Sequence, residues 1–282
     1  MKIGDFDINT IETGYVSLDG GAMFGVVPKT LWSRTNPSDE ANRIILAMRL
    51  MIIKYKERVF ITDAGVGNKM NEKLSKIYNV DHSKYDLISG LNNCGIQAEQ
   101  VTDVILTHLH FDHVGGSTYY DEKGRLKLTF PSATHHIQKA QWEWAQKPSD
   151  KDAASFMKEN FQPLKDYNKL NLIDGPGELI PGMELLLFNG HTPAMQAIKI
   201  SDSKNTLFYC ADIFPTSSHI PLPYIMGYDI HPMTTLEEKK RILPRALDEK
   251  WILLFEHDPY TVAGKLSLTE KGYRLGESID SL

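Results

Sequence analysis

Residues 107–116 read Thr-His-Leu-His-Phe-Asp-His-Val-Gly-Gly and follow an apolar stretch that begins at Val101. That stretch is short and dense in β-branched residues, which predicts a buried strand. The motif H-x-H-x-D-H therefore places three histidines and one aspartate in a loop directly after a strand, and Gly115 and Gly116 predict a sharp backbone turn behind them. Neutral imidazoles and carboxylates are the ligands that zinc and similar divalent ions prefer. We interpret the motif as metal-binding, and its four candidate ligands are His108, His110, Asp112 and His113.

The spacing inside this motif predicts how its ligands divide. Because alternate residues of a loop can point to the same side, His108 and His110 can reach one ion while Asp112 and His113 turn toward another. The alternative is an exposed histidine loop that holds no metal.

Three further candidates stand just beyond other predicted apolar strands, at 185–188, 207–210 and 253–255. Taken singly, a histidine or an aspartate at a strand end is more often a cap or a turn residue. Taken with the motif, these side chains become candidate ligands, because functional loops gather at strand ends. They are His191, Asp212 and His257. We interpret three other histidines as surface or packing residues, namely His82, His135 and His136.

Composition sets limits on the class of protein. The chain has 282 residues, 41% of them hydrophobic and 24% charged, and a net charge of −5. These values exclude a disordered or fibrous chain and give no electrostatic reason to bind nucleic acid or an anionic membrane. There is no apolar run of membrane-spanning length and no signal-peptide pattern at the start, so we expect a cytoplasmic protein. Cys94 and Cys210 are expected to be free thiols.

The order of predicted elements favours an α/β fold with sheets in the middle and helices outside. The first sixty residues are expected to form strands, and residues 43–63 predict a hairpin that turns at Lys56-Glu57-Arg58. Further strands are expected over 101–107, 183–188, 197–201, 206–210 and 251–255. Helices are expected over 69–78, 85–93, 137–146, 150–161 and 235–250.

The motif, a later Gly-His-Thr-Pro at 190–193, an aspartate and a final histidine resemble the metallo-β-lactamase superfamily over nearly the whole chain. The resemblance implies a four-layer αββα sandwich, a single domain over 1–282 and a dinuclear metal site. It implies a first ion on His108, His110 and His191, a second on Asp112, His113 and His257, and Asp212 bridging the two. Asp63, in the turn Thr62-Asp63-Ala64-Gly65, would orient a ligand imidazole; a simple turn residue is the alternative.

Within the superfamily, residues 18–32 are similar to quorum-quenching lactonases of the YtnP type, which act on N-acyl-homoserine lactones. The likeness to methyl-parathion-hydrolase-like enzymes is more distant. Two departures stand out: Ile213-Phe214-Pro215 replaces a tyrosine expected soon after the bridging aspartate, and Ala194-Met195 replaces a Gly-His pair. The first departure removes a side chain that would assist the reaction, whereas the second touches no metal ligand.

The resemblance implies a metal-dependent hydrolase in which a metal-bridging hydroxide opens a lactone or ester, with Asp112 carrying a proton to the leaving oxygen. Two divalent ions are expected, zinc first, with manganese, iron or cobalt as alternatives. Aryl esters, phosphotriesters, thioesters and β-lactams remain open as substrates, and a non-catalytic metal-binding protein is the alternative from another class.

Two apolar loops are candidates for the substrate pocket. Residues 214–232 hold four prolines, which forbid a regular element and predict a stiff loop after Asp212. Tyr224 and Tyr228 in that loop are candidates to replace the missing tyrosine, with His219 a third; the alternative is that they are only pocket walls. Residues 23–32 could line an acyl pocket or form a dimer contact. The expected partner is a small lactone or ester, and a homodimer stays open.

Overall fold

The computed structural model describes residues 1–282 and divides them into two compact units. The N-terminal unit comprises Met1–Tyr15 and Met48–Gly175, and the C-terminal unit comprises Val16–Ala47 and Pro176–Leu282. Each unit buries its own apolar core, because one stripe of every helix and one face of every sheet must be covered.

Sixteen strands and eight helices confirm the predicted α/β class. The strands are β1 (Lys2–Ile3), β2 (Phe6–Asp19), β3 (Arg43–Tyr55), β4 (Arg58–Thr62), β5 (Asp103–Ile105), β6 (Thr118–Tyr120), β7 (Leu126–Leu128), β8 (Thr134–Gln138), β9 (Leu170–Ile173), β10 (Gly177–Ile180), β11 (Met183–Phe188), β12 (Met195–Ser201), β13 (Thr206–Tyr209), β14 (Ile252–Leu254), β15 (Ala263–Thr269) and β16 (Gly272–Ile279). The helices are α1 (Gly20–Phe24), α2 (Lys29–Trp32), α3 (Glu72–Tyr78), α4 (Leu87–Asn93), α5 (Phe111–Val114), α6 (Lys139–Gln146), α7 (Lys158–Asp166) and α8 (Pro232–Asp248). No helix has both the length and the apolar character needed to cross a membrane.

The strands form two seven-stranded sheets and one hairpin. The first sheet has the order β1-β2-β3-β4-β5-β8-β9, the second the order β10 to β16 in sequence, and β6 pairs with β7. Strands β4, β5, β8 and β9 run parallel, and so do β13 and β14. Because parallel strands end at the same sheet edge, the residues that follow them come together there.

This topology explains where the candidate ligands gather within each unit. In the N-terminal unit, Asp63 follows β4 and the histidine motif follows β5, and Asp63 N–H donates to the carbonyl of Ile105 at 2.9 Å. In the C-terminal unit, Asp212 follows β13 and His257 follows β14. Strand β11 runs antiparallel to β12, which runs antiparallel to β13, so His191 after β11 lies at the same edge.

The predicted hairpin at 43–63 is confirmed, since β3 and β4 pair antiparallel around a turn in which Lys56 has a φ of 52°. The helix expected over 137–146 begins only at Lys139. Ile137 and Gln138 extend β8 instead, because they pair with β9 along the sheet.

The helix expected over 150–161 is wrong in its bounds. The Ser149 hydroxyl donates to Asp152 Oδ1 at 2.7 Å, and the segment makes a 3-10 turn at Ala153–Ser155. Helix α7 begins at Lys158 and contains Pro163. A local side-chain hydrogen bond of this kind stabilises a turn and so competes with the start of a helix at the same residues.

Helix α8 starts three residues before the predicted 235, at Pro232, where a missing N–H costs nothing. Seven strands were not expected from the sequence, β6 to β10, β15 and β16, and most of their residues are half-buried or exposed. The first sixty residues were expected to be strands alone, but they contain the helices α1 and α2 as well as strand β2. Both cysteines are free, as expected.

Gly115 and Gly116 lie against the backbone of residues 64–66 behind the histidine motif. They form the expected turn, over Gly115–Ser117, but neither has a positive φ. A Cβ on Gly115 would lie 2.1 Å from the Val66 carbonyl oxygen, and one on Gly116 would lie 2.1 Å from that of Ala64. Both positions therefore require glycine because the two backbone segments approach closely, and not because the turn needs a positive φ.

We expect Gly116→Ala to lower the free energy of unfolding by about 3 kcal/mol, because a carbonyl of the main chain cannot move aside as a side chain can. Chemical denaturation measures this change. Gly90→Ala is the matched control, since its new Cβ would lie 3.1 Å from the flexible end of Ile11. Equal loss of stability in the two variants would contradict the close-approach explanation.

Candidate metal centre

The histidine motif forms the metal-binding candidate of the N-terminal unit. His110 has an extended backbone, and the chain then makes the single turn of α5. All four side chains are buried, with exposed fractions of 8% or less. His108 Nε2 lies 3.0 Å from His110 Nδ1. Two imidazole nitrogens bound to one zinc ion at about 2.0–2.1 Å would lie roughly 3.3 Å apart, so this convergence fits a shared ion.

Asp63 fixes the orientation of this loop. The residue is fully buried, with a φ of 54°, and its Oδ1 accepts from Thr107 N–H at 2.7 Å. Its Oδ2 accepts from the Thr107 hydroxyl at 2.7 Å and faces His113 Nδ1 at 3.2 Å. The Thr107 oxygen in turn faces His108 Nδ1 at 3.1 Å. His108 and His113 thus use Nδ1 as a donor within the protein, which leaves each Nε2 as a lone-pair ligand.

Asp212 is the centre of the second set of candidate ligands, in the C-terminal unit. Its Oδ2 lies 3.2 Å from His191 Nε2, and its Oδ1 lies 3.2 Å from His257 Nε2. All three side chains are buried. One carboxylate therefore presents a different oxygen to each of two imidazoles, which is the arrangement that a bridging ligand needs.

Asp229 supports His191 and was not singled out from the sequence. This buried carboxylate faces His191 Nδ1 at 2.9 Å and accepts from the Thr235 hydroxyl of α8 at 2.7 Å. His257 Nδ1 donates to the Ala47 carbonyl at 2.9 Å. A carboxylate or carbonyl on one ring nitrogen sets the tautomer that leaves Nε2 free for a metal.

Helix α8 also holds the loop that carries His191. The Glu238 carboxylate accepts from Asn189 N–H at 2.6 Å and from Gly190 N–H at 3.1 Å. Burial raises the pKa of Glu238, although the two N–H groups act to lower it. Gly190 cannot carry a side chain here, because a Cβ would lie 2.2 Å from the Thr235 hydroxyl oxygen.

The two tyrosine candidates lie on the proline-rich loop. Tyr224 is half-buried and meets Phe24 edge to face at 6.0 Å between ring centroids. Tyr228 is 37% exposed and directly precedes Asp229. His219, the third candidate, donates from Nε2 to the Met23 carbonyl at 2.8 Å, and its Nδ1 accepts from the Thr216 hydroxyl at 2.8 Å. Its burial lowers its pKa to about 3, so it packs as a neutral ring.

A further tyrosine, Tyr78, stacks on the ring of Phe111, which lies in the chain between the motif ligands His110 and Asp112. The ring centroids are 4.8 Å apart and the ring planes are inclined at 24°. Burial and then the Asp112 carboxylate raise the pKa of Tyr78. The only sequence signal for this contact is an aromatic residue at the end of a predicted helix.

The remaining histidines of the N-terminal unit lie inside the packing. His82 bridges the carbonyls of Thr13 and Gly67, each at 2.9 Å. His136 bonds to Asp103 at 2.7 Å, and burial lowers the pKa of His135 to about 3. Their sequence-based interpretation as surface or packing residues is consistent with these contacts.

The donor chemistry of both units suits a divalent ion of the zinc class. Each unit supplies buried imidazole nitrogens and a carboxylate, and cysteine takes no part in either set. Imidazole and carboxylate together suit zinc, iron, cobalt and manganese, whereas copper(I) prefers sulfur.

Comparison with known sequences gives matches to a family model and to several known proteins. A family model described as the Metallo-beta-lactamase superfamily matches residues 50–257. An N-acyl homoserine lactonase of Bacillus cereus is 29% identical over 175 residues, which are 61% of this chain and 62% of the lactonase. The alignment therefore spans less than two thirds of that relative.

Comparison with solved structures gives matches over nearly the whole chain. A probable metal-dependent hydrolase from Staphylococcus aureus has a TM-score of 0.89 and 33% identity, covering 99% of this chain and 98% of that one. AidC, a dizinc quorum-quenching lactonase in complex with a product, has a TM-score of 0.80 and 22% identity, covering 98% and 96%. With the family match, these structures confirm the predicted type of fold.

We expect Asp229→Asn to weaken zinc binding by about 10- to 100-fold, because the neutral amide no longer raises the basicity of the His191 imidazole. Competition with a chromophoric zinc chelator measures the affinity. Asp248→Asn, an exposed position at the end of α8, is the matched control. An affinity within two-fold of the unmodified protein would show that Asp229 does not support a ligand.

Proposed function

The chain belongs to the metallo-β-lactamase superfamily, and on that premise we propose that it is a metal-dependent hydrolase that opens a lactone or an ester. The observation that carries the proposal is the Asp212 carboxylate, which presents one oxygen to His191 and the other to His257, each at 3.2 Å. A carboxylate placed in this way is suited to hold two ions at once. The lactonase and hydrolase relatives support the reaction class.

The proposed ligand assignment follows the superfamily motif residue by residue. We propose a first ion on His108, His110 and His191, a second on Asp112, His113 and His257, and Asp212 bridging them. The 3.0 Å approach of His108 Nε2 to His110 Nδ1 supports the first group. Asp112 Oδ2 lies 3.9 Å from His113 Nε2, which supports the second.

When bound, two ions of the zinc class lower the pKa of a water molecule toward 7 and polarise the carbonyl under attack. The chain's own contribution is to aim the ligands and to move a proton. In the hydrolysis, water adds to the acyl carbon, the bond to the ring oxygen breaks, and that oxygen takes a proton. We assign the proton transfer to Asp112, because a carboxylate with one oxygen on an ion keeps the other for a proton.

The proposed substrate is neutral and carries an apolar chain, as N-acyl-homoserine lactones do. Residues 214–232 follow Asp212 directly, and apolar side chains such as Phe214, Ile220 and Met226 are buried within them. An apolar wall of this kind suits an acyl chain better than a polyanion. The lactonase relatives support this substrate class. A cytoplasmic location, a single-domain organisation and a homodimer stay predictions.

We expect the protein, replenished with zinc and then desalted, to hold about two ions per chain by elemental analysis. A chelator should abolish its hydrolysis of a hexanoyl-homoserine lactone. His191→Ala should lose one ion preferentially, whereas Asp212→Ala should weaken both sites. The exposed His231→Ala is the control. One ion per chain, or equal loss from both variants, would contradict the dinuclear assignment. Faster turnover of an aryl ester, phosphotriester or thioester would reassign the substrate.

The tyrosines of the proline-rich loop test whether a hydroxyl replaces the missing donor. A well-placed hydrogen-bond donor to a developing oxyanion contributes roughly 2–4 kcal/mol. If Tyr224 or Tyr228 is that donor, the corresponding Phe variant should lower kcat for a lactone ten-fold or more with KM unchanged. Tyr120→Phe, an exposed position in β6, is the control. Changes of only a few-fold in both variants would mean that the two rings serve as pocket walls.

A further inference from the structure

Lys239 of α8 is fully buried, which is unusual for a lysine. Its ammonium group donates to three carbonyl oxygens of one short segment: that of His219 at 2.6 Å, that of Pro221 at 2.8 Å and that of Tyr224 at 2.9 Å. Its nitrogen also lies 5.7 Å from the centroid of the Phe214 ring. Three carbonyls and an aromatic face form a cage that selects a cation.

The caged segment belongs to a larger structure, which we call the double loop and define as residues 22–32 and 214–232. The Phe24 ring stacks between the rings of Trp32 and His219. The centroid distances are 5.3 Å to Trp32 and 4.5 Å to His219, and the interplanar angles are 8° and 10°. Gly227 N–H donates to the Ala22 carbonyl at 2.7 Å. The two apolar loops that the sequence singles out are thus one packed structure in the C-terminal unit.

The double loop is joined to two candidate ligands of the same unit. His257 N–H donates to the Pro215 carbonyl at 3.0 Å, and Ile230 N–H donates to the His191 carbonyl at 3.0 Å. The loop therefore leaves the candidate metal ligands at one end and returns to them at the other. Lys239 bonds to carbonyls in the middle of residues 214–232 and faces the Phe214 ring at their start, so it shapes the loop without touching the ligands.

We propose that Lys239 is a positioning residue for substrate binding, whose ammonium group holds the double loop in the shape that receives the acyl chain. This inference rests on the proposed function. The four prolines of residues 214–232 have no N–H, and the internal backbone hydrogen bonds of this segment close only short turns, such as Tyr224 N–H to the Pro221 carbonyl at 3.0 Å. The cation therefore adds bonds of the kind that a regular element would supply. A neutral side chain of the same length would remove the ammonium donor from the His219 and Tyr224 carbonyls, and would leave the Pro221 carbonyl only the Tyr224 N–H.

The test removes the ammonium group and then returns it. Lys239→Ala deletes the atoms of n-propylammonium, whereas Lys239→Met keeps the volume and loses the charge. We expect both variants to raise KM for a long-chain acyl lactone at least ten-fold, with kcat and metal content within two-fold of the unmodified protein. Propylammonium chloride should lower KM of the Ala variant several-fold and raise its thermal midpoint, and it should not act on the Met variant, whose cage is filled.

The controls separate the cage from general effects. Sodium chloride at the same ionic strength and n-propanol should not rescue the Ala variant, and propylammonium should not affect Lys240→Ala, an exposed neighbour bonded to Glu237. An Ala variant that folds only with propylammonium also supports the cage. If it does not fold at all, Lys239→Met decides, and a KM within two-fold of the unmodified protein overturns the proposal.

The experiment also distinguishes this inference from the proposed function. If the unmodified protein hydrolyses no lactone or ester, the proposed function fails. The thermal midpoint of the Ala variant still reports the cage in that case, and a midpoint that propylammonium leaves unchanged overturns it.

Discussion

Four of the five candidate ligand imidazoles, those of His108, His113, His191 and His257, hold one ring nitrogen against the protein, which leaves the other for a metal. A neutral imidazole has one donor and one acceptor nitrogen, and the partner of the first decides which is which. Asp63, Asp229 and the Ala47 carbonyl are such partners, at 3.2, 2.9 and 2.9 Å from the rings they hold. Much of the surrounding structure serves to bury these partners at the positions that orient the imidazoles.

That requirement accounts for features remote from the ligands. A buried carboxylate needs hydrogen-bond donors. Asp63 accepts hydrogen bonds from both the N–H and the hydroxyl of Thr107, and Asp229 accepts one from the hydroxyl of Thr235. The loops must also approach their neighbours closely, and Gly116 and Gly190 remove the side chains that would prevent it. Parallel strands then bring the loop ends to one sheet edge within each unit.

The sequence reveals groups that are local and hides those that depend on folding. The four motif ligands could be predicted because they occupy six consecutive positions after a strand. Asp229 could not, since it lies 38 positions from His191, in a loop that the sequence indicates only as a candidate pocket wall. Lys239 looks like one more charged residue on a surface helix until the fold buries it. The extension of β8 to Gln138 escaped prediction because it depends on pairing with β9, more than thirty residues away.

The central claim is that these imidazoles and carboxylates form a dinuclear centre. X-ray absorption at the zinc edge, on protein reloaded with zinc, tests it most directly because it detects ligand type and metal–metal distance together. A dinuclear centre predicts nitrogen and oxygen ligands with imidazole scattering, and a metal–metal distance of about 3.5 Å. A spectrum with sulfur ligands, or with imidazole scattering and no second metal at 3–4 Å, would contradict it.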